Sequence, residues 1–189
     1  MKKIIGLTGP TGAGKSSLTG LAEDLGYKVI DCDQFARKAV EKGTEGLNAL
    51  IIAFGEDIVN GDKALNRRAL AQKAFSSKEN TELLNKTLLP FIVELVNEEI
   101  KNSEKVILDA PTLFESGMDK LCLKTVAVLA DREIRLKRIM TRDRIDEESA
   151  MLRINAGKPD GFYIENADYI ILNNGSKDEL INDFKNILC

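Results

Sequence analysis

Gly9-Pro10-Thr11-Gly12-Ala13-Gly14-Lys15-Ser16 brings together the residue types that hold a nucleotide's polyphosphate. The spacing is GxxxxGK[ST], and it stands between a short apolar run at residues 4–8 and a stretch where Leu18, Leu21, Ala22 and Leu25 recur at helical spacing before Gly26. Glycines let the backbone curl so that successive amides face phosphate oxygens, and the helix that follows adds its positive end. Lys15 would then bridge the β- and γ-phosphates, and Ser16 would offer its hydroxyl to Mg²⁺.

Two acids come next. Asp31 and Asp33 flank Cys32 at the end of a predicted second strand, Lys28–Asp31, and alternation along an extended chain puts both carboxylates on one face. In a P-loop fold that strand ends beside the phosphate loop, at the carboxyl edge of the sheet where ligands collect. One acid would reach an acceptor hydroxyl while the other helps hold hydrated Mg²⁺. The competing role for Asp33 is to cap the next helix, worth about 1 kcal/mol. Cys32 reads as a packing residue, because adjacent carboxylates disfavour its thiolate. Residues 106–109, three apolar side chains closed by Asp109, resemble a Walker B strand whose acid touches the metal's water shell. Asp109 would equally suit a hydrogen bond to the loop at 111–115.

Arg135, Arg138 and Arg142 fall at i, i+3 and i+7, so they share a helix face, while Leu136 and Met140 occupy another. A lid carrying such a ridge would close over the nucleotide and neutralise the transferring phosphoryl group, an effect of about 10³–10⁵ in rate for a tested arginine finger. Arg138 and Arg142 are the expected catalytic members. The alternative is a solvated face, supported by Glu133 and Lys137 at i, i+4 spacing.

These groups need a scaffold, and the pattern alternates strand and helix. Short apolar runs at 4–8, Lys28–Asp31, 106–110, 125–130 and Tyr169–Leu172 read as buried strands of a parallel sheet, and Lys177–Leu188 as the last helix. Residues 34–104 form an excursion too long for a simple crossover and mostly helical, with a capping box at Ser76 and Glu79 and an apolar pattern after Pro90. A helical subdomain serving substrate recognition is the expectation.

Composition narrows the chemistry. The 189 residues are 43% hydrophobic and 30% charged, suit one α/β domain, and contain no run long enough to cross a bilayer and no visible targeting segment. A net charge of −3 supplies no basic field for a nucleic acid, so no nucleic-acid or membrane partner is expected. There is no histidine, which excludes a Ser/His/Asp triad, a Cys/His pair and His-ligated zinc and leaves a carboxylate as general base. Cys32, Cys122 and Cys189 are odd in number and widely spaced, as expected of reduced thiols in the cytoplasm.

In order along the chain, the run from Gly6 into the P-loop, Ile30-Asp31-Cys32-Asp33 with Arg37, Leu65-Asn66-Arg67, Leu108-Asp109-Ala110-Pro111 with Leu113-Phe114-Glu115, Lys137-Arg138 with Arg142-Asp143, and Ala167-Asp168 with Asn173-Asn174-Gly175 resemble the motifs of dephospho-coenzyme A kinases. The resemblance implies transfer of the γ-phosphoryl of ATP to the ribose 3′-hydroxyl of dephospho-CoA, the last step of coenzyme A synthesis. It implies an α/β, P-loop NTPase-type five-stranded parallel sheet flanked by helices, with core segments 1–33, 105–130 and 167–189, a helical acceptor-binding insertion at about 34–104 and a helical lid at about 131–166.

By motif position, Thr11, Gly12, Ala13, Gly14, Lys15, Ser16 and Ser17 bind ATP, and Asp33, Lys15, Arg138 and Arg142 are catalytic. Asp33 would be the general base, Ser16 and Asp31 would serve Mg²⁺, and Asp33, Arg37, Arg67, Asp109, Pro111, Leu113 and Glu115 would meet the acceptor. Two positions depart from the family pattern: Leu89-Pro90 stands where His-Pro is common, and Gly157 where a glutamine is usual. The rival readings are a P-loop kinase of another small metabolite, such as a nucleoside monophosphate or shikimate, and a nucleotide-hydrolysing switch. Against the switch, Asn85-Lys86-Thr87-Leu88 fails a guanine-binding NKxD pattern at its last position.

Overall fold

Continuous apolar runs between helices bury both faces only as central strands of a parallel sheet, and that is what they form. The computed structural model describes residues 2–188, so Cys189 lies outside the described residues. β1 (Lys3–Thr8), β2 (Lys28–Asp31), β3 (Lys105–Asp109), β4 (Lys124–Leu129) and β5 (Tyr169–Leu172) make a five-stranded sheet in the order β2-β3-β1-β4-β5. Its β1–β3, β1–β4 and β4–β5 pairs are parallel, with Ile5 opposite both Ile107 and Lys124.

The described residues gather into two compact units, one through residue 30 with 103–113 and from 121 onward, the other at 31–102 and 114–120. In the first, Ile5, Leu7, Ile107, Val126 and Val128 pack with Leu18 and Ala22 of α1 (Ser16–Asp24). Phe184, from the C-terminal helix at Lys177–Leu188, is wholly buried in the same core, a burial worth about 1.5–3 kcal/mol.

The second unit is helical: α2 (Cys32–Lys38), α3 (Glu45–Phe54), a 3-10 turn at Glu56–Ile58, α4 (Arg67–Ala74) and α5 (Lys78–Glu99). Val40, Leu50, Phe54, Ile58, Leu70 and Ala74 form its core. Thr44 and Asn66 cap α3 and α4 by accepting from the amides of Leu47 and Ala69. At α5 the expected capping box lies one residue off. Ser77 accepts from the Asn80 amide at 3.2 Å, while Ser76 donates its hydroxyl to the Lys73 carbonyl, closing the end of α4 instead. Pro90 sits inside α5, whose 22 residues run on through it. An interior proline costs about 3 kcal/mol in helix stability, and burial of Ile92, Val96 and Ile100 offsets it.

The remaining α-helices belong to the first unit: α6 (Arg132–Asp143), α7 (Glu147–Asn155), α8 (Asp160–Asn166) and α9 (Lys177–Leu188). Ile139, Ala150 and Ile154 are buried together, with Leu136 and Met140 packed on them, so the apolar face of α6 is the one that docks α7.

Candidate active site

The loop between β1 and α1 owes its shape to its glycines. Gly9 has φ +143° and a Cβ there would run into the Val128 carbonyl of β4, so only glycine fits. Gly14, at φ +96°, lies so close to the Asn173 amide that a side chain would displace it. The result is a cleft of about 950 Å³ lined by Thr11, Gly12, Gly14, Lys15, Ser16 and Ser17 together with Pro111, Arg138 and Arg142. The Ala13 and Ser17 amides are spent within the loop, on the carbonyls of Pro10 and Gly14. Those of Gly12 and Gly14 have no acceptor among the described residues, and they leave donors for an anion at a helix N-terminus.

The Lys15 ammonium pairs with the Asp109 carboxylate, both side chains being mostly buried. The end of β3 thus neutralises the loop's cation, for which a polyphosphate would compete.

The arginine ridge is divided among different tasks. Arg135 is 4% exposed and turns beneath the loop: its Nε donates to the Thr11 carbonyl at 3.0 Å and its Nη1 pairs with Asp160 of α8 at 3.1 Å. Burial lowers its pKa, and Asp160 opposes that shift. Arg138 donates to the carbonyls of Ala13 at 3.3 Å and Asn173 at 3.1 Å, bracing the loop from the cleft side. Arg142 is exposed at the cleft and makes a two-pronged ion pair with its neighbour Asp143, at 2.7 and 2.9 Å, an acid that also binds Arg153 of α7. The shared-face expectation for the three arginines therefore gives one brace below the loop, one beside it, and one held at the surface by a carboxylate.

The hydrogen bond from Arg142, aided by the charge of both arginines, keeps the Asp143 carboxyl below its usual value. A depressed native pKa makes this tie complete above the unfolded-state value of about 3.9, and it is lost only as pH falls through the lowered native one. The α6–α7 corner is thus expected to stay closed at about pH 5. Amide exchange at 142–147, corrected for intrinsic rate, should match that at neutral pH, and faster opening would contradict the assignment.

Sequence reasoning left six cleft residues without a role: Lys137, Thr141, Asn173, Gly175, Lys177 and Leu180. Lys137, Arg138, Thr141 and Arg142 share one stripe of α6, a spacing that could have revealed two of them. Asn173, just past β5, is 6% exposed and donates from Nδ2 to the Ala13 carbonyl at 2.7 Å, while its own amide donates to Leu129. Its position at a carboxyl strand end was the available signal. Asn173→Ala removes one of the two donors to the buried Ala13 carbonyl, a loss of about 1–3 kcal/mol. The expected outcome is a melting temperature lower by several degrees and a KM for ATP raised about tenfold, read by thermal unfolding and steady-state kinetics. An unchanged KM would show that the brace does not shape the loop for nucleotide.

In the helical unit the strand-alternation argument for the two acids fails, because β2 ends at Asp31 and α2 begins at Cys32. Asp31 is the N-cap of α2. Its oxygens accept from the Asp33 amide at 3.0 Å, the Gln34 amide at 3.2 Å and the Gln34 side chain at 2.9 Å. Asp33, in the first helical turn, is exposed, and its carboxylate has no hydrogen bond or ion pair among the described residues. Arg37 and Arg67 line a second cavity. Glu115 is half-buried with its Oε2 unpartnered among the described residues, and its backbone carbonyl accepts from Asn85. Leu89, at the position of the missing histidine, lies close to Gly117. Leu113 belongs to the sheet unit and is fully buried beside Gly6 and Cys122, so the expected acceptor contact of its side chain gives way to core packing.

A phosphate loop on the first strand of a parallel sheet, with arginines lining the same cleft, defines a P-loop phosphotransferase. The dephospho-CoA kinase family model matches residues 3–179. A dephospho-CoA kinase of Arabidopsis thaliana is 37% identical over 191 residues, covering 98% of this chain and 82% of the relative. Among solved structures, a Thermus thermophilus protein matches with TM-score 0.79 at 32% identity, over 99% of this chain and 96% of that one. A dephospho-CoA kinase from Campylobacter jejuni matches with TM-score 0.65 at 26% identity, over 100% and 96%. The chain belongs to the dephospho-CoA kinase family, as its ordered motifs led us to expect.

Proposed function

We infer that the chain transfers the γ-phosphoryl group of ATP to dephospho-CoA, at the ribose 3′-hydroxyl, giving coenzyme A and ADP. The observation that carries this is the family match across residues 3–179 on a chain whose phosphate loop, Lys15 and Arg138 line one cleft large enough for a nucleotide. Lys15 and the cleft arginines hold the phosphates and meet charge as it develops on the transferring group. Asp33 takes the proton of the acceptor hydroxyl, a role supported by its exposed, unpartnered carboxylate. Arg37, Arg67, Asp109, Pro111 and Glu115 remain our assignments for the acceptor.

The residues present fit Mg²⁺. Mg²⁺ carried by ATP takes most of its ligands from phosphate oxygens and water and needs few from the protein. Ser16, exposed at the cleft, would supply a hydroxyl. Asp31, whose oxygens already accept three hydrogen bonds, would act through water. When bound, the ion shields phosphate charge.

We place the reaction in the cytoplasm, a reading supported by the odd number and wide spacing of the three cysteines in the sequence. The test is incubation with Mg-ATP and dephospho-CoA, with ³¹P NMR locating the added phosphate. A new 3′-phosphate is the expected product. Preferred phosphorylation of shikimate or a nucleoside monophosphate, or fast hydrolysis without acceptor, would overturn the reading.

A further inference from the structure

An amide of the phosphate loop serves an anion only if it faces the cleft. A glycine-rich loop does not fix that by itself, because a glycine backbone takes either sign of φ at little cost. A trans peptide unit is planar, so its C=O and N–H point in opposite directions. Whatever grips the Thr11 carbonyl therefore aims the N–H of Gly12, an amide with no acceptor among the described residues.

Arg135 supplies that grip. Its Nε donates to the Thr11 carbonyl at 3.0 Å, and Gly12 lines the cleft whereas Arg135 does not. With the carbonyl drawn to the arginine's side, the Gly12 N–H is turned toward the cleft. The backbone of α6 is fixed at the same place, since a Cβ on Gly12 would stand 2.9 Å from the Arg135 carbonyl. The guanidinium, with only 5% of its side chain exposed, needs a counter-charge as well as a neutral acceptor, because a buried cation left unpaired is costly. Asp160, the first residue of α8, provides it at 3.1 Å while keeping 47% of its own side-chain surface in water. Asp160 lies outside the cleft too, so its influence on a nucleotide has to pass through Arg135.

We propose that Asp160 is a positioning residue for nucleotide binding: it holds the Arg135 guanidinium against the Thr11 carbonyl and so aims the Gly12 N–H at the polyphosphate. Without the carboxylate, the guanidinium swings out along the solvent-open side that Asp160 occupies, and the Thr11–Gly12 peptide is released. A peptide free to turn must be ordered each time a phosphate binds, which weakens ATP and leaves the transfer step unaltered. The proposal rests on the ATP reading above.

Calorimetric binding of ATP without acceptor, steady-state kinetics and thermal unfolding test it, on Asp160→Ala and on the double variant Arg135→Met with Asp160→Ala. Asp160→Ala is expected to weaken ATP about tenfold, in Kd and KM alike, with kcat and the KM for dephospho-CoA within about twofold. Its melting temperature should also fall, because a buried cation has lost its partner. In the double variant an apolar side chain replaces that cation, so the melting temperature returns toward the wild-type value. ATP binding stays weak there, since the Thr11 carbonyl still lacks its donor. An ATP Kd unchanged by Asp160→Ala would overturn the proposal. So would a double variant that regains both stability and ATP affinity, which would make the ion pair structural only. Failure of the functional reading shows elsewhere, as a wild-type chain that does not bind ATP.

Discussion

Lys15→Ala is expected to lower kcat by about 10²–10³-fold or more, the loss seen when one preorganised donor to a developing anion is removed. The ammonium is the only lysine placed within the phosphate loop itself, and the neighbouring loop amides carry partial charges that cannot replace a full one. The fold should survive. Lys15 stands at the N-cap of α1 with no side-chain capping bond, and its partner Asp109 keeps 19% of its side-chain surface and can hydrate. Steady-state turnover, with circular dichroism as control, checks the prediction. A variant retaining near wild-type kcat would show that the cleft does not hold the transferring phosphate.

The second large effect separates two acids that stand two positions apart. Asp33→Asn is expected to lower kcat by about 10²–10⁴-fold, the range for loss of a positioned general base, with the KM for ATP within about twofold. Asp31→Asn should do something different. Asparagine still accepts the amide bonds of a helix N-cap, so α2 persists, at a stability cost of only a few tenths of a kcal/mol to about 1 kcal/mol. Turnover should fall far less than in the Asp33 variant. The opposite ranking, an active Asp33→Asn beside an inactive Asp31→Asn, would exchange the two roles. The distinction rests on hydrogen bonding: Asp31 already accepts from the Asp33 and Gln34 amides and the Gln34 side chain, whereas Asp33 has none of these ties.

The ends of elements are where sequence and structure part. Residues 106–110 and 125–130 read as strands and the sheet has Lys105–Asp109 and Lys124–Leu129, each one residue earlier. Such shifts are harmless inside a buried strand. At Asp31 a single position decides whether an acid alternates along a strand or caps a helix, and the apolar pattern before it does not encode that choice. Ser76 and Ser77 differ in the same way: either hydroxyl could cap α5, and the tight end of α4 claims the first. Leu113 matched a motif by neighbourhood, but its side chain is taken by the space over Gly6, which no pattern local to residues 111–115 reveals.

The phosphate loop, the strands that flank it and the helical character of the excursion after β2 could be read from the residues alone. They are written in short-range chemistry: eight consecutive residues form the loop, and a strand or helix declares itself by its own period. What the folded chain alone decided is which side chains serve that loop. Arg135 meets Thr11 across 124 positions, Arg138 meets Ala13 across 125, and Asn173 meets Ala13 across 160. The strand order β2-β3-β1-β4-β5 brings the ends of β1 and β4 side by side and β5 next to them. Hydrogen bonds between groups so distant in the chain exist only once that order is in place, because nothing in the local conformation of either partner requires the other.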